Sequence, residues 1–412
     1  METTEPTHTG DPHPTTPDPT CADTDARHPA EAGPRGGPRP VAAPGVYPTL
    51  DVPRGTDPVG PRPAGAEARG VLRRRLAWFA VLACSPYLLL KLLWVVGIDV
   101  GVVHPDELNR AQWVAANALT FAMDAIAALI AYALTRTREF RVRAWLIVLP
   151  LWVASGLLVV IMAAVPLSLI GAAVGDAGNP FAGDDFLRPW VYAVVYGGFI
   201  VEGAVLSVAF GLYAHERWGA LLRVRVRALP DPAGTGDAQR FLGTVAALLL
   251  GFAGVLRMAW ASGAHVGMTG RWIADRNATG RWMDGVQGGL ALVGATGLIL
   301  LVHRLGGARV RGPLAMAWFG AGSAFGWGGW MGLISAGAAP GSTLAERTST
   351  LLRFVYTAEM ITGVLALTIG WFFLTEYAGR TRHITHPAHP NPTPDTPSTN
   401  GEPHAHSTKT HP

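Results

Sequence analysis

The sequence predicts an all-α integral membrane protein: eight transmembrane helices arranged as two parallel four-helix repeats, with the N and C termini in the cytoplasm. Three observations carry this reading. Apolar blocks long enough to cross a bilayer recur between short polar connections. Every second connection is rich in arginine. Residue patterns of the first half return in the same order in the second.

The blocks dominate the composition. Of 412 residues, 49% are apolar and only 15% charged, and the charges lie between the blocks or in the tails, as hydrocarbon requires. The net charge of +4 is therefore a property of the loops. No basic groove with interleaved aromatics accompanies it, which argues against a nucleic-acid partner and leaves the lipid bilayer as the expected one. Two cysteines, Cys21 and Cys84, exclude a disulfide framework and are expected to stay reduced.

Residues 1–68 are rich in Pro, Thr, Gly, Asp and His and are expected to form a disordered cytoplasmic tail, because they bury too little apolar surface to offset ordering. The first apolar block starts near Leu76, too deep in the chain and too long for a cleaved signal peptide, so it reads as a retained signal anchor. The first repeat occupies 69–213, with spans near 76–98, 112–134, 144–168 and 190–213. A basic cytoplasmic linker covers 214–241. The second repeat occupies 242–377, with spans near 242–263, 282–303, 313–336 and 351–375. Residues 378–412 form a second disordered tail, with His383, His386, His389, His404, His406 and His411 among prolines and threonines. A solvated low-complexity tail outweighs a loose metal site there, and no metal or cofactor is expected anywhere in the chain.

Orientation follows from arginine. Arg69, Arg73, Arg74 and Arg75 precede the first span; Arg136, Arg138, Arg141 and Arg143 follow the second. Arg217, Arg223, Arg225 and Arg227 follow the fourth, Arg304, Arg309 and Arg311 the sixth, and Arg380 and Arg382 the eighth. The alternate connections carry Asp99, Asp106 and Glu107, then Asp176, Asp184 and Asp185, then Asp275, then Glu346. That places a multi-pass protein in the plasma membrane with its basic side inward. Arg271, Arg276 and Arg281 break the pattern and are outvoted.

The internal likeness is specific. Lys91-Leu-Leu-Trp94-Val-Val-Gly97 aligns with Arg257-Met-Ala-Trp260-Ala-Ser-Gly263. Arg136 and Arg141-Val142-Arg143 align with Arg304 and Arg309-Val310-Arg311, Val195-Tyr196 and Gly203 with Val355-Tyr356 and Gly363, and Glu216 with Glu376. Four helices is an even number, so the copies insert with the same orientation, and a cleft between them is the default place for a site. Glycines at 320, 322, 326, 328, 329 and 332, and at 285, 288, 289 and 294, read as close-packing positions of the seventh and sixth spans.

Ionisable residues inside the blocks are the informative ones: Lys91, Asp124, Glu202, Arg257 and Glu359, with Asp284 nearer the outer surface. A charge at the bilayer centre costs on the order of 2.5–3.5 kcal/mol, so such residues face the bundle interior and pair or work. Helical rise puts Lys91 and Arg257 roughly 24–26 Å from the inner edge and Asp124 and Glu202 roughly 18–21 Å from it, depths from which they can converge on one cavity. Two cations, Lys91 and Arg257, against three carboxylates leave at least one acid without a counter-ion, and burial alone favours the protonated form of such an acid. Structural ion pairing is the competing reading for each residue. Of the 14 tryptophans, Trp94, Trp113, Trp152, Trp260, Trp327 and Trp330 fall inside helices or close to these charges rather than at the membrane interfaces. Core packing accounts for any one of them; together with acids they suit a cationic or flat apolar substrate.

No glycine-rich phosphate loop and no paired metal-ligand motif appears. Asp184-Asp185 lacks the further Asp of a diphosphate-binding magnesium site.

The stretch Ser85-Pro86-Tyr87-Leu-Leu-Leu-Lys91-Leu-Leu-Trp94 and the helices after it are similar to multispanning actinobacterial membrane proteins. Across its helical region the chain resembles the membrane-bound terpene cyclases of drimentine and indole-sesquiterpene pathways. That resemblance implies a hydrophobic prenylated substrate, cyclised after protonation of an alkene or epoxide; it assigns no residue. The charged groups read from the sequence then supply candidates: Asp124 or Glu202 as proton donor, Glu359 as closing base, and Trp94, Trp260, Trp327 and Trp330 as the cation-stabilising lining. Lys91 and Arg257 keep neighbouring acids ionised. A proton-coupled transporter or exporter using the same carboxylates as a relay is the alternative, and a sensor or scaffold worked by its tails is the third. The sequence leaves the oligomeric state open.

Overall fold

The computed structural model describes residues 64–105, 110–135, 144–175, 187–229 and 234–385, all within the contact unit Val52–Pro412. The expectations placed on residues 1–63, Asp106, Glu107, Arg136, Arg138, Arg141, Arg143, Asp176, Asp184, Asp185 and the histidines from His386 onward lie outside those residues. Among the described residues there is no strand. The helices are α1 (Ala64–Val96), α2 (Arg110–Thr135), α3 (Ala144–Ala173), α4 (Pro189–Arg223), α5 (Gly236–Ala261), the short α6 (Gly270–Ala274), α7 (Ala278–Val302), α8 (Arg311–Ala336), the short α9 (Thr343–Arg347) and α10 (Thr350–Thr385).

Seven of these, α1, α2, α3, α4, α5, α7 and α10, are long and apolar enough to cross a membrane, which makes the chain a multi-pass membrane protein in a lipid environment. The remaining long helix, α8, has 26 residues but spends many of them on glycine, so its overall hydropathy is lower. Those glycines face protein: Gly320, Gly322, Gly326 and Gly328 are buried, and α8 packs against α3, α7 and α10.

Local sequence explains the irregularities. Pro86 removes the amide that would bond Leu82 inside α1, and the Ser85 hydroxyl takes over that carbonyl at 2.7 Å. In a membrane span such a side-chain replacement matters, since lipid offers no donor. At Trp218 the backbone of α4 leaves helical geometry (φ −125°, ψ 21°); beyond it come the basic residues of the linker.

Each half packs mainly within itself. Helix α1 lies on α2 and α4, while α5 lies on α7 and α10. The halves meet chiefly where α3 crosses α8 and α7. At that crossing Gly156 faces the Gly322 backbone so closely that a Cβ on Gly156 would stand 2.7 Å from the Ser323 nitrogen. Trp152 Nε1 donates to the Trp318 carbonyl at 3.0 Å, and Trp318 Nε1 donates to Ser155 Oγ at 2.9 Å. Trp327 Nε1 donates to the Leu157 carbonyl at 3.1 Å.

The same local construction occurs twice at one constant offset along the chain. Trp94 Nε1 donates to the Val100 carbonyl at 2.9 Å, and Trp260 Nε1 to the Val266 carbonyl at 2.9 Å. Gly97 and Gly263 end their helices with φ of 100° and 101°. Arg110 and Arg276 each reach back to the freed carbonyl at the helix end, that of Trp94 at 3.4 Å and that of Trp260 at 2.7 Å. Gly101 and Gly267 again take positive φ, 78° and 68°, and each lies against the start of its half's last helix, at Val191 and Leu351.

A glycine in this left-handed region is replaceable only at a cost. Gly263→Ala adds a methyl with no atom within 4 Å, so the expected loss is the backbone strain alone, about 1–2 kcal/mol. Gly97→Ala also brings the methyl to 2.9 Å from the Arg110 guanidinium, and its melting temperature in detergent is expected to fall further than that of Gly263→Ala. Equal falls would mean that Arg110 simply moves aside.

Candidate functional site

The structure gathers the membrane charges into two groups, one in each half. Both follow one plan: a cation on the first helix, a carboxylate on the second and a carboxylate on the fourth.

In the first half the cation is Lys91 of α1, 1% exposed. Its ammonium donates to Asp124 of α2 at 2.8 Å and sits 3.9 Å from the centroid of the Tyr87 ring, one turn earlier on α1. A desolvated ammonium gains from both the carboxylate and the ring's negative face. The carboxylate of the fourth helix is Glu202 of α4, 3% exposed. On the α1 side it faces the thiol of Cys84, at best a weak donor. Phe199, one turn before Glu202 on α4, meets Tyr87 of α1 edge to face with centroids 4.8 Å apart.

In the second half the cation is Arg257 of α5, 5% exposed. It forms a two-pronged pair with Glu359 of α10, Nε to Oε1 at 2.6 Å and Nη2 to Oε2 at 3.0 Å. Its remaining nitrogen reaches Asp284 of α7 at 3.3 Å. Asp284 has a second guanidinium on its other oxygen, Arg276 at 2.8 Å. Gly328 on α8 leaves room for this arrangement, since a Cβ there would stand 2.8 Å from Glu359 Oε2.

The two groups therefore differ in charge balance. The second sets two guanidiniums against two carboxylates. In the first, Lys91 faces two carboxylates, because Arg110, the counterpart of Arg276, turns outward to Asp99 at 2.7 Å. Among the described residues, Asp124, Asp284 and Glu359 each form an ion pair with a cation, and Glu202 forms none.

The expected tryptophan lining is distributed differently from the acids. Trp94 and Trp260 are buried beside the cations, but their indole N–H groups are committed to loop carbonyls, and their rings pack on Trp113 and Trp272. Trp327 ties α8 to α3, and Trp330 is partly buried on α8. Trp94, Trp260 and Trp327 hold helix ends and a helix crossing together.

Sequence reasoning passed over two residues of the site. Arg276 looked like a misplaced loop charge, yet its side chain is 7% exposed and inside the second network. Cys84 looked inert. For Arg276 a signal existed, since it stands as far beyond Arg257 as Arg110 stands beyond Lys91. For Cys84 only the structure reveals that Glu202 faces it.

No family model, no curated protein and no solved structure matches the chain, so nothing among known proteins bears on its likeness to terpene cyclases.

Proposed function

We propose that the chain is a proton-coupled transporter of small molecules in the plasma membrane, with Glu202 as the group that loads and releases the proton. The observation that carries this is Glu202 itself: a carboxyl buried at membrane depth, near a Lys91–Asp124 pair and in an ion pair with no cation among the described residues. Intramembrane acids of this kind mark ion pathways. The proposal includes α8 as an eighth span, because its 26 residues make about 39 Å of helix and it is wedged between apolar helices. It also includes two parallel four-helix halves with inward termini, supported by the constant offset between Trp94 and Trp260, Gly97 and Gly263, and Arg110 and Arg276. Two halves packed within themselves and joined at one crossing suit alternating access by rocking.

Proton-initiated cyclisation of a prenyl chain is the second reading, favoured by the Tyr87 and Phe199 rings beside the same acid. Glu202 is then the donor, since Asp124 is engaged by Lys91. Glu359, gripped by Arg257, has to part from that guanidinium before it acts as closing base.

The test compares metabolites inside and outside cells expressing wild type and Glu202→Gln, a nearly isosteric change that keeps the fold. Transport predicts at least one small molecule whose distribution across the membrane depends on wild-type protein and collapses with an uncoupler, and which cells expressing Glu202→Gln fail to redistribute. An isomerised prenyl product that forms in detergent micelles and ignores the uncoupler overturns transport and establishes cyclisation. A full wild-type effect in Glu202→Gln overturns both.

A further inference from the structure

We infer that the basic face of the protein carries a built site for a phosphate group, that of an anionic lipid headgroup, between the ends of α4 and α7 and the start of α8. The site is independent of Glu202 and of any reading of it.

The chain leaving α4 and the chain entering α8 meet in an isolated antiparallel bridge, Arg225 opposite Arg309. Val226 N–H donates to the Ala308 carbonyl and Val310 N–H to the Val224 carbonyl, each at 2.9 Å. This pattern makes Arg225 and Arg309 the narrow, non-hydrogen-bonded kind of pair, in which opposed Cβ atoms come within about 4.5–5.5 Å. The platform beneath is rigid. Val226 and Val310 are 0% and 1% exposed and pack with Leu221 and Leu229.

Above it opens a cavity of about 370 Å³ lined by Arg225, Arg309, Arg311 and the backbones of Gly307, Ala308 and Gly312. Two features of its charge arrangement are unfavourable by themselves. Like charges directly opposite one another across a bridge repel. Arg311 is the first residue of α8, where the helix dipole disfavours a cation. Among the described residues none of these three arginines forms an ion pair with a carboxylate. Inward positive charge requires arginines on this side, but not their stacking on one rigid turn at a helix start. A doubly contacted phosphate relieves both penalties, since the guanidinium fork matches its oxygens and the start of a helix favours an anion.

The lipid source follows from position. The cavity lies just beyond the ends of two helices long and apolar enough to cross a membrane, α4 and α7. That is the level of headgroups, within reach of polybasic attraction to an anionic leaflet.

The experiment uses the full chain in detergent, relipidated with equal amounts of phosphatidylglycerol and phosphatidylcholine and then examined for retained lipid by native mass spectrometry. Wild type is expected to retain phosphatidylglycerol in at least five-fold preference, and Arg225→Gln/Arg309→Gln to lose that preference. Arg225→Lys/Arg309→Lys, which keeps the charge and the topology, is expected to lose most of it as well, because lysine cannot fork. The control Arg271→Gln/Arg347→Gln, at the opposite face, is expected to match wild type. Equal preference in all four proteins overturns the site. Binding of inorganic phosphate by wild type without a preference for phosphatidylglycerol overturns the lipid assignment. Full retention by the lysine variant overturns the forked geometry and leaves bulk charge as the explanation.

Discussion

Arg257→Met is expected to cost about 3–5 kcal/mol of stability, the largest effect of any single side chain in the protein. The substitution leaves Glu359 and part of Asp284 buried without their guanidinium, and an orphaned buried charge is far more expensive than the intact pair is stabilising. Arg276 still neutralises Asp284, so the damage concentrates on Glu359. The decisive comparison is Arg257→Met/Glu359→Leu, which removes both charges and is expected to recover most of the loss. Thermal melting in detergent reads both. If the double variant melts as low as the single one, the pair is held together by packing around Tyr356 and Gly328 rather than by charge.

Gly156→Leu is the second large change, expected to cost about 3 kcal/mol, at the upper end for overpacking. Most overpacked sites relax by moving a flexible neighbour, but here the opposing atoms are the backbone of Gly322 and Ser323, so one helix must withdraw from the other. Withdrawal breaks the crossed Trp152 and Trp318 hydrogen bonds, and tryptophan emission should shift red along with the lower melting point. Gly211→Leu is the matched control, since nothing lies within 4 Å of its added Cβ; it should be near neutral. A Gly156→Leu protein indistinguishable from Gly211→Leu would mean that the halves are not joined at this crossing.

How much of this was legible beforehand depended on whether the signal was local. Spans were legible because a run of apolar residues answers to bilayer thickness alone. The partial exception is α8, whose glycines lower its hydropathy for the reason that makes it central: they let α3 and α10 approach. The cation-x-x-Trp-x-x-Gly match between Lys91 and Arg257 was legible, and the bonds from Trp94 to Val100 and from Trp260 to Val266 give it a physical cause. The pairing of acids was not. Asp124, Asp284 and Glu359 lie at different depths in their helices, and which one a cation reaches depends on helix rotation and side-chain length. Neither is written in spacing. The same limit applies to Arg276, whose role depends on a loop folding inward, and to Trp94, Trp152, Trp260 and Trp327, whose N–H partners are carbonyls and so leave no mark in the sequence.

The described membrane ion pairs close within one half or the other, and this bears on biogenesis. When Lys91 enters the bilayer its partner Asp124 follows one helix later, and Arg110 can cap the end of α1 as soon as α2 emerges from the ribosome. The first four helices can thus pair Lys91 with Asp124 while the remainder of the polypeptide is still being synthesised. The second set does likewise with Arg257, Arg276 and Asp284, then waits only for α10. The seam of glycine and tryptophan between α3 and α8 can close only once the second half has been made.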